Sequence, residues 1–138
     1  MIDLKGKTSL ALVEQIEGAG IQVWTDADGV QCSHPEAAQA IIDAFDQKAW
    51  ELTQVIPAIK EEARKRIVSV LPEWKQANAT ARAVELVSLG QASGPEWEAM
   101  QSAWAWVKAV RAHSDILEAQ AALLDHPLTL DITAGWPE

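Results

Sequence analysis

The stretch WELTQVIPAIKEEARKRIVSVL, from Trp50 to Leu71, decides the fold class. Its apolar residues recur every three or four positions, which places them in one stripe along an α-helix. They are Val55, Ile56, Ile59, Ala63, Ile67 and Val70. Pro57 interrupts this stretch, and because proline lacks an N–H we expect it to kink or restart the helix. The run Lys60–Arg66 places acids four residues before bases, which is typical of a solvated helix face.

Two further helices follow this stretch. Pro-Glu-Trp occurs at Pro72 and again at Pro95, and proline with an acid favours the start of a helix. Ser93 and Glu96 also form a capping-box pattern. We therefore predict helices near residues 50–71, 73–89 and 95–124, which pack as an antiparallel hairpin or bundle. The apolar stripe of the last helix contains Met100, Trp104, Val107, Val110, Leu117, Ala121 and Leu124.

The N-terminal part has a different pattern. Thr8 is a candidate cap for a short amphipathic helix that ends at Glu-Gly-Ala-Gly. β-forming residues then flank the turn residues Asp26–Gly29, which predicts a small hairpin. Ser33 heads a second capping box before a helix predicted from about Pro35 to Phe45. These elements predict a small α/β part.

The C-terminal segment LTLDITAGW alternates apolar and polar residues. Leu128, Leu130 and Ile132 occupy every second position, which predicts a β-strand. Its edge would pair with the N-terminal hairpin of the same chain or with another chain. We favour a contact between chains with Trp136 as an anchor, because tryptophan is enriched at binding hot spots.

Trp106 is a further interaction candidate. It lies about 200° around the helix from Trp104 and cannot share its face. A second neighbour within the chain would bury it, or a partner would cover it. Together with the C-terminal segment, it completes the set of predicted interaction residues: Trp106, Leu128, Leu130, Ile132 and Trp136.

These patterns predict a mainly α fold: a helical hairpin or bundle with a small N-terminal α/β hairpin element and a C-terminal strand. At 138 residues the chain fits a single domain. We divide this domain into residues 1–45, the bundle 49–124 and the tail 125–138.

The composition argues against several classes of partner. Eleven basic and twenty acidic residues give a net charge of −9, which repels nucleic-acid phosphates and anionic membrane surfaces. We expect no nucleic-acid partner and no membrane span. Cys32 is the only cysteine, so no intrachain disulfide is expected.

Residues that could carry chemistry are sparse. Asp26 and Asp28 resemble part of a calcium loop, but Trp24 and Pro35 then occupy ligand positions. The three histidines form no paired metal motif, and His113-Ser114-Asp115 lacks a nucleophile elbow. The sequence therefore predicts no catalytic, cofactor-binding or metal-binding residue, and a protein that is not an enzyme.

The stretch IPAIKEEARKRIVSVLPEWKQANATARAVEL, together with VKAVRAHSDILE and the terminal DITAGWPE, resembles small proteins encoded among the tail and tail-fibre genes of tailed bacteriophages. The resemblance covers about two-thirds of the chain and is carried best by PEWKQ and TARA. It implies a tail-fibre assembly or virion-associated protein, in the host bacterial cytoplasm or in the virion tail. It brings no catalytic residues.

Three functions follow as expectations. The first is a non-enzymatic phage tail or tail-fibre accessory protein, either an assembly chaperone or a small virion component. It would bind a tail-fibre or other tail protein and could form a homo-oligomer. The second is an anti-defence or host-takeover inhibitor that presents its acidic surface to a host protein. An enzyme ranks third.

Overall fold

The computed structural model describes residues 2–7 and 10–138. Within these ranges the chain forms five α-helices, one two-stranded antiparallel sheet and a short 3₁₀ turn at Pro127–Thr129. The predicted mainly α fold is confirmed. The helices are α1 (Leu10–Gly18), α2 (Pro35–Ala44), α3 (Gln47–Val70), α4 (Glu73–Ser88) and α5 (Pro95–Leu123), and the strands are β1 (Val23–Asp26) and β2 (Gly29–Cys32).

The chain divides into two compact units, Met1–Glu51 and Leu52–Glu138. The first corresponds to the predicted α/β part and also contains the start of α3. The second contains both the predicted bundle and the predicted tail. That the whole chain is a single domain stays a prediction.

The first unit is built around one apolar cluster. Its buried members are Ile2, Leu12, Ile16, Ile21, Cys32, Ala38, Ile42 and Phe45, and the partly buried Trp50 packs against them. Gln39 of α2 holds the backbone at Asp3, because its side-chain amide accepts a hydrogen bond from the Asp3 N–H and donates one to the Asp3 carbonyl. Lys7 Nζ donates to the carbonyls of Ile42 and Asp43, which stabilises the negative end of α2.

The predicted hairpin is confirmed, with Asp26 paired to Gly29 at its tip. Asp26 Oδ1 accepts a hydrogen bond of 2.8 Å from the Asp28 N–H, so this carboxylate closes the turn. Gly29 has a φ of 118°, which a residue with a Cβ rarely adopts. The Asp-Ala-Asp-Gly sequence is thus explained by the turn.

The predicted capping boxes are wrong. Ser33 lies one residue before the cap, and its hydroxyl accepts a hydrogen bond from the Gln22 N–H. His34 and Gly94 occupy the cap positions of α2 and α5, with no side-chain cap at either. In both cases the serine is too early by one residue, because the proline already takes the first helical position. The cap predicted at Thr8 lies outside the described residues.

The helix bounds are otherwise close to the predicted ones, and α3 is continuous through Pro57, so the proline does not restart it.

In the second unit α3 presents Val55, Ile59, Ala63 and Ile67 to Val107, Val110, Leu117 and Ala121 of α5. Lys60 pairs with Glu118, while Arg66 and His113 both contact Trp136. α3 and α5 therefore run in opposite directions, as predicted.

The predicted C-terminal strand is wrong. The sheet contains only β1 and β2 across the described residues, and the segment after α5 consists of a 3₁₀ turn followed by bends. Its backbone bonds are local, since the N–H of Leu130 donates to the carbonyl of Pro127. Asp131 Oδ1 then accepts hydrogen bonds from the N–H and the hydroxyl of Thr133, which turns the chain. Leu130 and Ile132 reach the core here without any strand pairing.

Candidate interaction surface

Trp136 is part of the core of its own unit. Its exposed fraction is 8%, and it belongs to the cluster formed by α3 and α5. Its indole N–H donates a hydrogen bond of 2.8 Å to the carbonyl of Ile132. The His113 ring meets it edge-on with centroids 4.7 Å apart, and the Arg66 guanidinium lies 5.1 Å from its ring centroid.

The same side chains hold the backbone around Trp136. Arg66 Nη2 donates to the carbonyl of Thr133, while Arg66 Nε pairs with Glu62 at 2.7 Å. His113 Nε2 lies 3.1 Å from the carbonyl of Ala134, and because a carbonyl only accepts, Nε2 carries the proton in this contact. Gly135 has a φ of 80°, and a Cβ there would lie 3.1 Å from the His113 ring. The C-terminal segment is thus fixed to α3 and α5 by side chains from both helices.

Three of the other predicted interaction residues belong to this segment, and the fourth, Trp106, lies on α5. Leu130, Ile132 and Trp106 are partly buried and pack against the same cluster. Leu128 is about half exposed. The structure therefore brings four of the five predicted residues together, but in contacts within the chain. Their use in binding another chain stays a prediction.

Several exposed apolar residues of this unit lie on α4. Trp74 is 63% exposed and Val84 is 62% exposed. With the exposed Ala77 and Ala81 they recur at three-and-four spacing and occupy an arc of roughly 80° on the helix. We call these four residues the outer face of α4. Val87 and Leu89 are also exposed and continue the apolar surface towards the end of the helix.

Sequence reasoning missed the outer face of α4. The spacing from Trp74 to Val84 is visible in the sequence, yet Pro-Glu-Trp was explained by helix initiation alone. Only the packing shows which side is left open, because α4 buries Leu86 and turns Trp74 to solvent. Trp74 contacts only the Lys75 ammonium, 5.4 Å from its ring centroid, among the described ring and cation contacts.

An apolar groove of about 420 Å³ separates α4 from α5. Leu71, Met100 and Trp104 contribute its largest apolar side chains. Arg82 bridges the rim, with Nε and Nη2 on the two Glu96 oxygens at 2.8 and 3.2 Å. These hydrogen bonds hold the pKa of Glu96 below its usual value and raise that of Arg82. Glu96 thus ties the start of α5 to α4 instead of serving a capping box.

A charged cleft of about 470 Å³ lies between α3 and α5. It contains three cations and three carboxylates: Lys60, Arg64, Arg111, Glu73, Asp115 and Glu118. Lys60 pairs with Glu118 at 3.9 Å and Arg64 with Glu73 at 3.7 Å. Because the charges balance, the cleft has no strong preference for an anion or a cation.

The residues considered for catalysis do not converge. Ser114, which is buried, and Asp115 both line the charged cleft, whereas His113 contacts the C-terminal segment and does not line the cleft. Cys32 is buried in the first unit. Among the described residues, no three His, Cys, Asp or Glu side chains lie close enough together to hold a metal ion. No helix formed by these residues has the length and apolarity to cross a membrane.

Comparisons with protein-family models, with curated proteins and with solved structures find no match to this chain.

Proposed function

We propose that the protein is a non-enzymatic accessory protein that acts by binding another protein through the outer face of α4. The observation that carries this proposal is the exposure of Trp74 and Val84 on one face of a helix whose opposite side packs on α5. Large apolar side chains that stay exposed together favour a protein partner, and tryptophan is the residue most enriched at binding hot spots. The predicted anchor Trp136 is less suited to this role, because its side chain already has partners within the chain.

The setting we propose is the assembly of a phage tail. It is supported by the resemblance of residues 56–86 and the C-terminal DITAGWPE to proteins of tail and tail-fibre gene regions. The partner is then a tail-fibre or other tail protein with an apolar patch that accepts Trp74. The protein would act in the host cytoplasm as an assembly chaperone or remain in the virion tail as a small component.

The test is co-purification of the tagged chain with the tail-fibre and baseplate proteins encoded beside it. We expect Trp74→Ser combined with Val84→Ser to weaken binding by at least about 2 kcal/mol, or roughly 30-fold in Kd. Leu10→Ser is the matched control, because Leu10 is an equally exposed apolar residue of another helix. Both variants should keep the thermal transition of the parent chain.

Binding that survives the double substitution would contradict the proposal, and so would an equal loss of binding with Leu10→Ser. Analysis of purified virions separates the two roles within it. A virion component is retained at a fixed ratio to the tail proteins, whereas a chaperone is absent from mature particles.

A second function has one observation in its favour. The net charge of −9 suits a host-takeover inhibitor that covers a basic surface of a host protein. Such binding would fall steeply with added salt, whereas binding through the outer face of α4 would change little. Salt dependence of the isolated complex therefore distinguishes the two.

A further inference from the structure

A second exposed stripe runs along α5, opposite the side that packs on α3. Its members follow spacings of three, four, three, four, three and four residues: Ser102, Ala105, Ala109, Ala112, Ile116, Ala119 and Leu123. All seven are exposed, and Ile116 and Leu123 reach 52% and 83%. We call this set the outer face of α5.

The spacing is that of the seam of a two-helix coiled coil. It averages 3.5 residues and is sustained over three heptads of a 29-residue helix about 43 Å long. Four of the seven positions are alanine, so two such helices could approach closely, and Ile116 and Leu123 would supply larger apolar contacts.

The charges beside the outer face of α5 favour a second copy of this chain in antiparallel orientation. Lys108 and Asp115 lie on the same flank, seven residues apart, and both are exposed. Asp115 also lines the edge of the charged cleft, yet neither it nor Lys108 forms an ion pair with a described residue within 4.0 Å. In an antiparallel pair of identical helices, equivalent flanks meet, so Lys108 of one copy faces Asp115 of the other, twice. In a parallel pair, the flank with Lys108 and Asp115 would instead face the opposite flank of the other copy, which carries Trp106 and His113. No opposite charges would then meet.

We propose that two copies of this chain associate through the outer faces of their α5 helices, in antiparallel orientation, with Lys108 paired to the Asp115 of the other copy. The twofold axis crosses α5 between residues 109 and 112, where the alanines allow the closest approach. This surface is separate from the outer face of α4, so self-association and binding of a tail protein are independent of each other.

The first test is the molar mass of the full chain, measured by sedimentation equilibrium over a concentration series. We expect the parent chain to reach twice its 15.0 kDa mass. Ala109→Glu places a carboxylate in the seam of both copies and should raise the dissociation constant at least about 100-fold. Ala58→Glu is the matched control, since Ala58 is an exposed alanine of α3, and should leave the dimer unchanged.

The second test is charge reversal on the flank. Lys108→Glu and Asp115→Lys alone each place like charges opposite one another and should weaken the dimer about tenfold. Combining them restores opposite charges in an antiparallel pair and should return the dissociation constant to within about threefold of the parent value. All three variants change only exposed side chains, and circular dichroism checks that each stays helical.

A parent chain that remains a monomer at 15.0 kDa up to the highest concentration overturns the proposal. So does a dimer that Ala109→Glu leaves intact. A dimer that is weakened by both single reversals but not restored by their combination overturns the antiparallel pairing. Loss of tail-protein binding on Trp74→Ser, with the dimer retained, bears only on the proposed function.

Discussion

Trp136 and Trp74 belong to the same helical unit but lie in opposite surroundings. Trp136 is buried, donates a hydrogen bond to Ile132 and is contacted by side chains of α3 and α5. Trp74 stands at the start of α4 and is mostly exposed. The comparison teaches that a tryptophan near a chain end can be a core residue, while one that follows a helix-starting proline can be the better interaction candidate.

The largest effect expected from this comparison is that of removing the C-terminal segment. Deleting residues 127–138 takes Trp136, Leu130 and Ile132 from the core cluster and exposes its apolar surface. We expect a loss of about 5 kcal/mol or more, enough to unfold a marginally stable unit. Urea unfolding followed by circular dichroism measures it. A truncated chain with the parent's transition would show that the segment is only docked on the surface.

Trp136→Ala should have the next largest effect. The cavity it leaves and the lost ring contacts should lower the free energy of unfolding by about 3–5 kcal/mol. Trp74→Ala removes an equal side chain from the surface and should change it by no more than about 0.5 kcal/mol. Both variants are measured by urea unfolding under the same conditions. Equal decreases in the free energy of unfolding would contradict the distinction between the two tryptophans.

Gly135→Ala tests the backbone that carries Trp136. An alanine at position 135 must adopt a φ of 80°, and its Cβ would lie 3.1 Å from the His113 ring. We therefore expect the free energy of unfolding to fall by about 1–3 kcal/mol. Gly90→Ala is the matched control, because Gly90 also has a positive φ but its Cβ would meet nothing within 4 Å. A smaller loss at Gly135 than at Gly90 would mean that His113 moves aside freely.

The smallest effect concerns Asp131 and pH. Hydrogen bonds from the hydroxyl and the N–H of Thr133 hold the pKa of Asp131 below its usual value. A lowered folded-state pKa contributes stability that is present above the unfolded value of 3.8 and is lost as the pH falls through the folded value. At pH 6 the thermal unfolding midpoint of the parent chain should therefore be higher than that of Asp131→Asn. The difference between the two midpoints should disappear by about pH 2.5. A gap that widens on acidification would contradict this sign.

The helices were predictable because local sequence determines them. The stripe Val55–Ile67 and the prolines at 72 and 95 give bounds that differ from the structure by three residues at most. The conformation of the C-terminal segment was not predictable. A period of two over Leu128–Ile132 is typical of a strand, but it also occurs in turns such as these, which place Leu130 and Ile132 on the core and leave Leu128 half exposed. The turns are held by hydrogen bonds from Arg66 and His113, which are distant from this segment in sequence.

The helix caps and the exposure of the outer face of α4 also depend on contacts between residues that are distant in sequence. Ser33 has the residue type of a cap, yet its hydroxyl is taken by Gln22 of the preceding segment. The outer face of α4 has a readable spacing, but the sequence does not show which side of α4 packs on α5. Local patterns therefore predicted the elements, while the surfaces follow only from their packing.

The most direct test of the account compares the two tryptophans in solution. The chain is labelled with 5-fluorotryptophan, and fluorine NMR assigns the two resonances through Trp74→Phe and Trp136→Phe. We predict that a soluble paramagnetic agent broadens the Trp74 resonance strongly and leaves that of Trp136 sharp. Addition of the proposed partner, a tail protein, should then protect Trp74. A free chain in which Trp136 is broadened and Trp74 is protected would contradict the account.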